Sequence, residues 1–137
     1  EEYPAGPLDQ ERLGLYSQAN ILSVSRVMLV DDRPVAHLVD LLPTRYLCKA
    51  DLPNDFSGSV LDVLLRLGRT PLSYSHTHIE SVAASQPLAD ALHLHRKDPI
   101  LKFEARLFAQ DGQVVDYSIS HFVPGYFNFH VVRRIGI

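Results

Sequence analysis

The stretch ILSVSRVMLVDDRPVAHLVDLL, residues 21–42, is two runs rich in Val, Leu and Ile separated by the polar triplet Asp31-Asp32-Arg33. β-Branched and apolar residues suit a pleated, half-buried surface, and a short polar break between two such runs reads as a hairpin. Its arms are residues 21–31 and 34–42, and Pro43 ends the second arm, because proline cannot donate to a ladder. A second hairpin follows the same logic, with ILKFEARLFAQ (100–110) and QVVDYSISHFV (113–123) flanking Asp111-Gly112. The hairpins align at a constant offset, Arg26 with Arg106 and Asp31 with Asp111. Any two hairpins look alike, and a duplicated module with a cleft between or beside the copies is the sharper reading of this match.

Between the hairpins, SVLDVLLRLG (59–68) carries Val60, Leu61, Val63, Leu64 and Leu67 at helical spacing. Ser59 with Asp62 three residues on is a capping start, and Gly68 is a stop. Residues 72–83 alternate and read as a strand, and residues 86–94 read as a helix capped by Ser85 with Pro87 in its first turn. Residues 44–58 are loop-like, and Lys97-Asp98-Pro99 is a turn. Residues 8–16 have helical spacing interrupted by Gly14, and residues 1–7 read as a tail or linker rich in Pro and Gly. Pro124-Gly125 makes a break before a last expected strand, FNFHVVRR (127–134). Strands joined mainly by hairpins predict an α+β fold, a largely antiparallel sheet with helices packed on one face.

The 137 residues make one domain, residues 8–137, and 46% hydrophobic with 21% charged residues suffices for a packed core without disulfides or metals. Cys48 is the single cysteine, which excludes an internal disulfide and a multi-cysteine zinc site. No apolar run approaches the ~18 residues of a membrane span. The net charge of −3 and a pI near 6.1 argue against a DNA-binding surface on this chain, since such surfaces need cationic faces. The sequence starts at Glu1 and its only methionine is Met28, so a fragment of a longer protein is expected.

His76-x-His78-x-Glu80 would share one face of a strand and could contribute metal ligands, although a solvent-facing polar strip is the plainer reading. His93 and His95 lie at a helix end, where a cationic imidazole complements the dipole. Cys48 reads as a small buried hydrophobe. No nucleophile elbow, phosphate loop or dinucleotide glycine motif occurs, and no cofactor is expected. Anion binding has better support. Ser57-Gly58-Ser59 precedes the strongest helix, whose N-terminus offers unpaired N–H groups. Arg26 lies within an apolar strand, where it could clamp an anion, face solvent or pair with Asp40 on the facing arm; Arg106 carries the same ambiguity.

The order of these pieces resembles a UTRA domain, the effector-binding domain of HutC-type regulators in the GntR family. The resemblance runs over residues 9–133 and rests on SRVMLVDDRPVAHLVDLLP, GSVLDVLLRLG, ALHLHRKDPILKFEARLF and DGQVVDYSISHFVPGYFNFHV. It implies a fold similar to chorismate lyase and a cytoplasmic, homodimeric bacterial repressor. Its N-terminal winged helix-turn-helix domain, outside this chain, would bind operator DNA. It also implies that the family's first strand is truncated or absent here.

In phosphosugar-sensing relatives, two arginines two apart in the first hairpin arm and the helix start hold the phosphate. The matching positions here are Arg26, Met28 and Ser59. A family acidic residue for sugar hydroxyls falls at Leu38, and a family tyrosine falls at Phe127. Three polar contacts have thus become apolar, so an anionic but less charged effector, a carboxylate before a phosphosugar, is expected. Leu61, Arg106 and Asp116 complete the expected ligand-binding set. Ligand binding is expected to order residues 44–58 and the Ser59 helix start. Two alternatives stand beside this: a lyase acting on an aromatic carboxylic acid, with Arg26 and Arg106 holding carboxylates, and a pure dimerisation module.

Overall fold

The computed structural model describes residues 1–16 and 18–136. Six strands form one sheet: β1 (Glu2–Pro4), β2 (Asn20–Val30), β3 (Arg33–Pro43), β4 (Leu72–Ala83), β5 (Pro99–Ala109) and β6 (Val114–Phe122). Their order is β1-β2-β3-β6-β5-β4, and every pairing is antiparallel. Three helices accompany them, α1 (Pro7–Leu13), α2 (Val60–Leu67) and α3 (Gln86–Leu92), with a 3-10 turn at Lys49–Asp51. The α+β, antiparallel architecture expected from the hairpins is the one observed.

Both hairpins form where the sequence places them, and they meet side by side through β3 and β6. At the tip of the first, Asp31 and Asp32 both adopt left-handed backbone, with φ of 50° and 63°. Two positive φ values at a two-residue tip match the twist of the flanking strands.

The helix α2 obeys its sequence signals. Ser59 Oγ accepts a hydrogen bond from the Asp62 N–H at 3.2 Å, which satisfies one of the free amides of the first turn. At the other end Gly68 takes φ of 62° and donates its N–H to the Leu64 carbonyl. Val60, Val63 and Leu64 are buried against Leu22, Val24, Leu42 and Val115.

The helices do not pack on one face as expected: alternation along the strands divides them between the two sides of the sheet. Leu22, Val24 and Leu42 pack under α2, whereas their chain neighbours Ile21 and Leu41 pack with Leu13 of α1 and with Tyr117. Leu88 and Ala89 of α3 pack on Ile100 and Val82, which by the same alternation lie on the α1 side.

Three further expectations change. Residues 1–7 are not a tail: Glu2–Pro4 pair with β2, Tyr3 opposite Ile21, so a first strand is present. The first helix ends at Leu13, not at residue 16, because Gly14 turns left-handed there. No strand forms over residues 127–134. Gly125, with φ of 97°, turns the chain off the ladder, and the Phe127 and Phe129 rings instead pack against Phe122 and Phe103.

Candidate functional site

A cavity of about 480 Å³ opens on the α2 side of the sheet. Five strands and the loop before α2 build it. β2 contributes Arg26 and Met28, β3 contributes Leu38 and Asp40, and β6 contributes Asp116 and Ser118. Ala105 and Leu107 of β5 and Ser75 of β4 close the far side, and residues 57–61 form the rim at the helix start. Every one of the strand residues follows from alternation: Arg26 lies opposite Leu38, Asp40 opposite Ser118, Ala105 opposite Ser118 and Leu107 opposite Asp116. A volume of this size matches the lower range of small-molecule sites, mostly apolar with few polar groups.

The polar floor is a triad. Arg26, Asp40 and Asp116 are the three buried charged residues of the described chain, at 8%, 7% and 7% exposure. One Arg26 guanidinium nitrogen, Nη2, pairs with Asp40 Oδ2, and the other, Nη1, donates to the Gly58 carbonyl at 2.6 Å. The guanidinium also lies 6.0 Å from the centre of the Phe56 ring. A Cβ at Gly58 would stand 3.3 Å from that ring, a tight contact that the ring would have to yield to. Arg26 Nε and Asp116 Oδ1 are buried without a hydrogen-bond partner among the described residues. Burial, then the hydrogen bond to Asp40 and the Asp40 charge, push the Asp116 carboxyl well above the usual carboxylate range, and Arg26 offsets this only in part. Burial thus favours the protonated form of Asp116.

Of the residues singled out from sequence, Arg26, Met28, Leu38, Ser59, Leu61 and Asp116 come together around this one space. Two do not. Arg106 stands between Ala105 and Leu107, which line the cavity, so alternation turns its side chain to the opposite face. There its Nε donates to the Arg12 carbonyl at 2.9 Å and its guanidinium stacks 5.1 Å from the Tyr117 ring centre. The sequence match of Arg26 with Arg106 thus joins residues on opposite sides of the sheet. Phe127 is the second correction: its ring centre lies 4.8 Å from Phe122 in the aromatic cluster, outside the cavity lining.

Asp40 was legible as a partner of Arg26, while Ser75, Ser118 and Leu107 were missed; the register that brings them opposite the first hairpin is their only signal. His76 and His78 share a face of β4 with ring centres 4.9 Å apart, and Glu80 lies 3.9 Å from the Lys102 ammonium. Among the described residues, no group of three or more His, Cys, Asp or Glu side chains is placed to hold a metal ion. No helix among them is long and apolar enough to cross a membrane.

Comparison with known proteins gives consistent matches. The UTRA domain family model matches residues 1–128. No curated protein sequence matches the chain. Among solved structures, a GntR-family transcriptional regulator from Enterococcus faecalis V583 superposes with a TM-score of 0.80 at 23% identity, covering 97% of this chain and 96% of that one. The ligand-binding domain of a putative GntR-family regulator from Bordetella bronchiseptica gives a TM-score of 0.85 at 12% identity, covering 98% and 86%. PhnF from Mycobacterium smegmatis gives 0.87 at 17% identity, covering 99% of this chain and 60% of that one. At these identities the likeness is one of fold.

Proposed function

The chain belongs to the UTRA domain family, an effector-binding regulatory domain by that membership, and on that premise we propose that the cavity beside Arg26 and Ser59 is its effector site. In this reading a small molecule enters between α2 and the sheet. Its occupancy changes the operator affinity of a winged helix-turn-helix domain that precedes this chain in the full regulator. The regulator would be a cytoplasmic homodimer of the HutC type acting as a repressor.

The observation that carries the reading is the joint placement of a buried arginine, two buried carboxyls and a helix start around one hollow. An effector alters DNA affinity only through unequal affinity for two conformations. The Arg26 hydrogen bond to Gly58 supplies the connection, because it ties the cavity floor to the residue before the Ser59 cap. A ligand that competes for Arg26 acts directly on the loop leading into α2.

The lining also bears on the ligand. Of the two arginine positions used by phosphosugar sensors one is Met28, and Arg26 already has Asp40 as its counter-charge. A doubly charged phosphate therefore finds one neutralised cation, whereas Met28, Leu38, Leu61 and Leu107 offer apolar surface. An effector with an apolar body and a single carboxylate, set at the α2 start and Arg26 Nε, fits better. Lyase chemistry required Arg26 and Arg106 at one substrate, and these lie on opposite faces. Calorimetric titration with sugar phosphates and with aliphatic and aromatic acids tests the reading. Binding of acids with an accompanying rise in melting temperature supports it, and tight binding of a sugar phosphate overturns the carboxylate preference.

A further inference from the structure

We propose that the effector carries a protonated nitrogen, of the amine or amidine class, and that Asp116 is the group that receives it. This rests on the cavity being the effector site. On the cavity floor two carboxyls, Asp40 and Asp116, stand against one cation, Arg26. Arg26 is already committed, one nitrogen to Asp40 and the other to the Gly58 carbonyl. Asp116 receives neither of those nitrogens. Its side chain is on the cavity side of β6, and its Oδ1 is buried with no partner among the described residues. A buried acceptor without a donor is costly to keep, and Arg26 Nε, the unpartnered donor of the same floor, does not bond it.

The groups facing Asp116 from each element have definite characters. From β2 comes Arg26, from β3 Asp40, and from β5 the apolar Leu107, which lies opposite it in register. The rim residues 57–61 and Ser75 are uncharged. A ligand carboxylate placed against Asp116 would meet Asp40 as well and be repelled. A ligand ammonium finds two carboxyls and replaces the proton that burial keeps on Asp116. The proton leaves to solvent as the ion pair forms, so charge balances: a neutral carboxyl and a cation become a carboxylate–cation pair and a released proton. With the carboxylate end at Arg26 Nε and α2, the effector is a zwitterion with an apolar body, of the chemistry of an amino acid.

The test uses three molecules of one chain length, caproate, hexylamine and ε-aminocaproate, titrated into the protein by calorimetry with melting temperature as a second readout. The two amines are expected to bind, ε-aminocaproate most tightly, and caproate to bind at least about tenfold more weakly, the change expected when a charge-assisted partner is lost. Amine binding should release a proton, read as a heat that varies with the ionisation enthalpy of the buffer, and its affinity should rise with pH. Asp116→Asn should remove both the preference for amines and the proton release. Caproate binding as tightly as the amines, or an amine preference that survives in Asp116→Asn, overturns the inference and leaves the effector site standing. Binding of none of the three overturns the inference, and the titrations with sugar phosphates and other acids then decide the effector site separately. Hexylamine binding without ε-aminocaproate supports the nitrogen and refutes the carboxylate. The proton-release measurement needs only the unmodified protein, so it decides the matter even if the variant fails to fold.

Discussion

Arg26 and Asp40 form a buried ion pair across a diagonal of the sheet. Arg26 lies opposite Leu38 and Asp40 opposite Val24, two positions further along the register, and the long guanidinium arm spans the offset. Diagonal neighbours are within reach of long side chains. The arrangement leaves the guanidinium's second edge free to hold Gly58.

Breaking this pair from one side strands a buried charge. Asp40→Ala should destabilise the domain by about 3–5 kcal/mol, because Arg26 would remain buried without its counter-ion. The double variant Arg26→Met with Asp40→Leu should recover most of that loss, since an apolar replacement of both partners avoids the desolvation cost. Urea unfolding of the two variants measures the difference.

Asp116 makes stability fall as pH rises. Its folded-state carboxyl titrates above its ordinary value of 3.8, so the folded protein binds a proton that the unfolded chain has released. Stability is full below the unfolded value and is lost progressively from about pH 4 upward until the folded group itself ionises. Asp116→Asn carries no titrating proton and should flatten this decline. Thermal unfolding from acid to neutral pH compares the slopes, and an unchanged slope in the variant would refute the assignment.

Ser59→Ala removes the cap of α2 and should cost about 1 kcal/mol, with Ser59→Asp retaining most of the stability because a carboxylate accepts the same Asp62 N–H. The loss should appear in urea midpoints without a change of m-value.

Arg106→Ala separates the two arginines. It removes the hydrogen bond to the Arg12 carbonyl and the stack on Tyr117, with a cost of about 1–2 kcal/mol. Effector affinity should stay unchanged, because Arg106 faces away from the cavity. A parallel loss of affinity, measured by titration, would place it back in the site.

Much of this molecule is legible in its sequence. Periodicity and turn chemistry located both hairpins, the α2 cap at Ser59 and its stop at Gly68, because each depends on residues close in sequence. The facing of Arg106 was not legible: a one-residue difference in register decides it, since Arg26 lies opposite Leu38, 12 residues on, and Arg106 opposite Tyr117, 11 residues on. β1 escaped because three residues bounded by Pro4 and Gly6 carry almost no strand signal, and only the exposed edge of β2 recruits them. The last expected strand failed for the opposite reason. Phe127 and Phe129 alternate as a strand would, but their rings find Phe103 and Phe122 before their backbone finds a ladder. Asp116 was expected in the ligand-binding set, but its unpartnered Oδ1 depends on how Arg26 is committed across the sheet, which no local sequence signal carries.

The neighbour of β2 on its outer side is β1. Leu22, paired with Glu2, stands four residues before Arg26 on the same strand, about 13 Å at the usual rise of an extended chain. A tilt of β2 at the cavity is therefore delivered to the first residues of the chain through one ladder of hydrogen bonds, with no intervening loop to absorb it. The start of the chain and the floor of the cavity thus ride on one rigid lever.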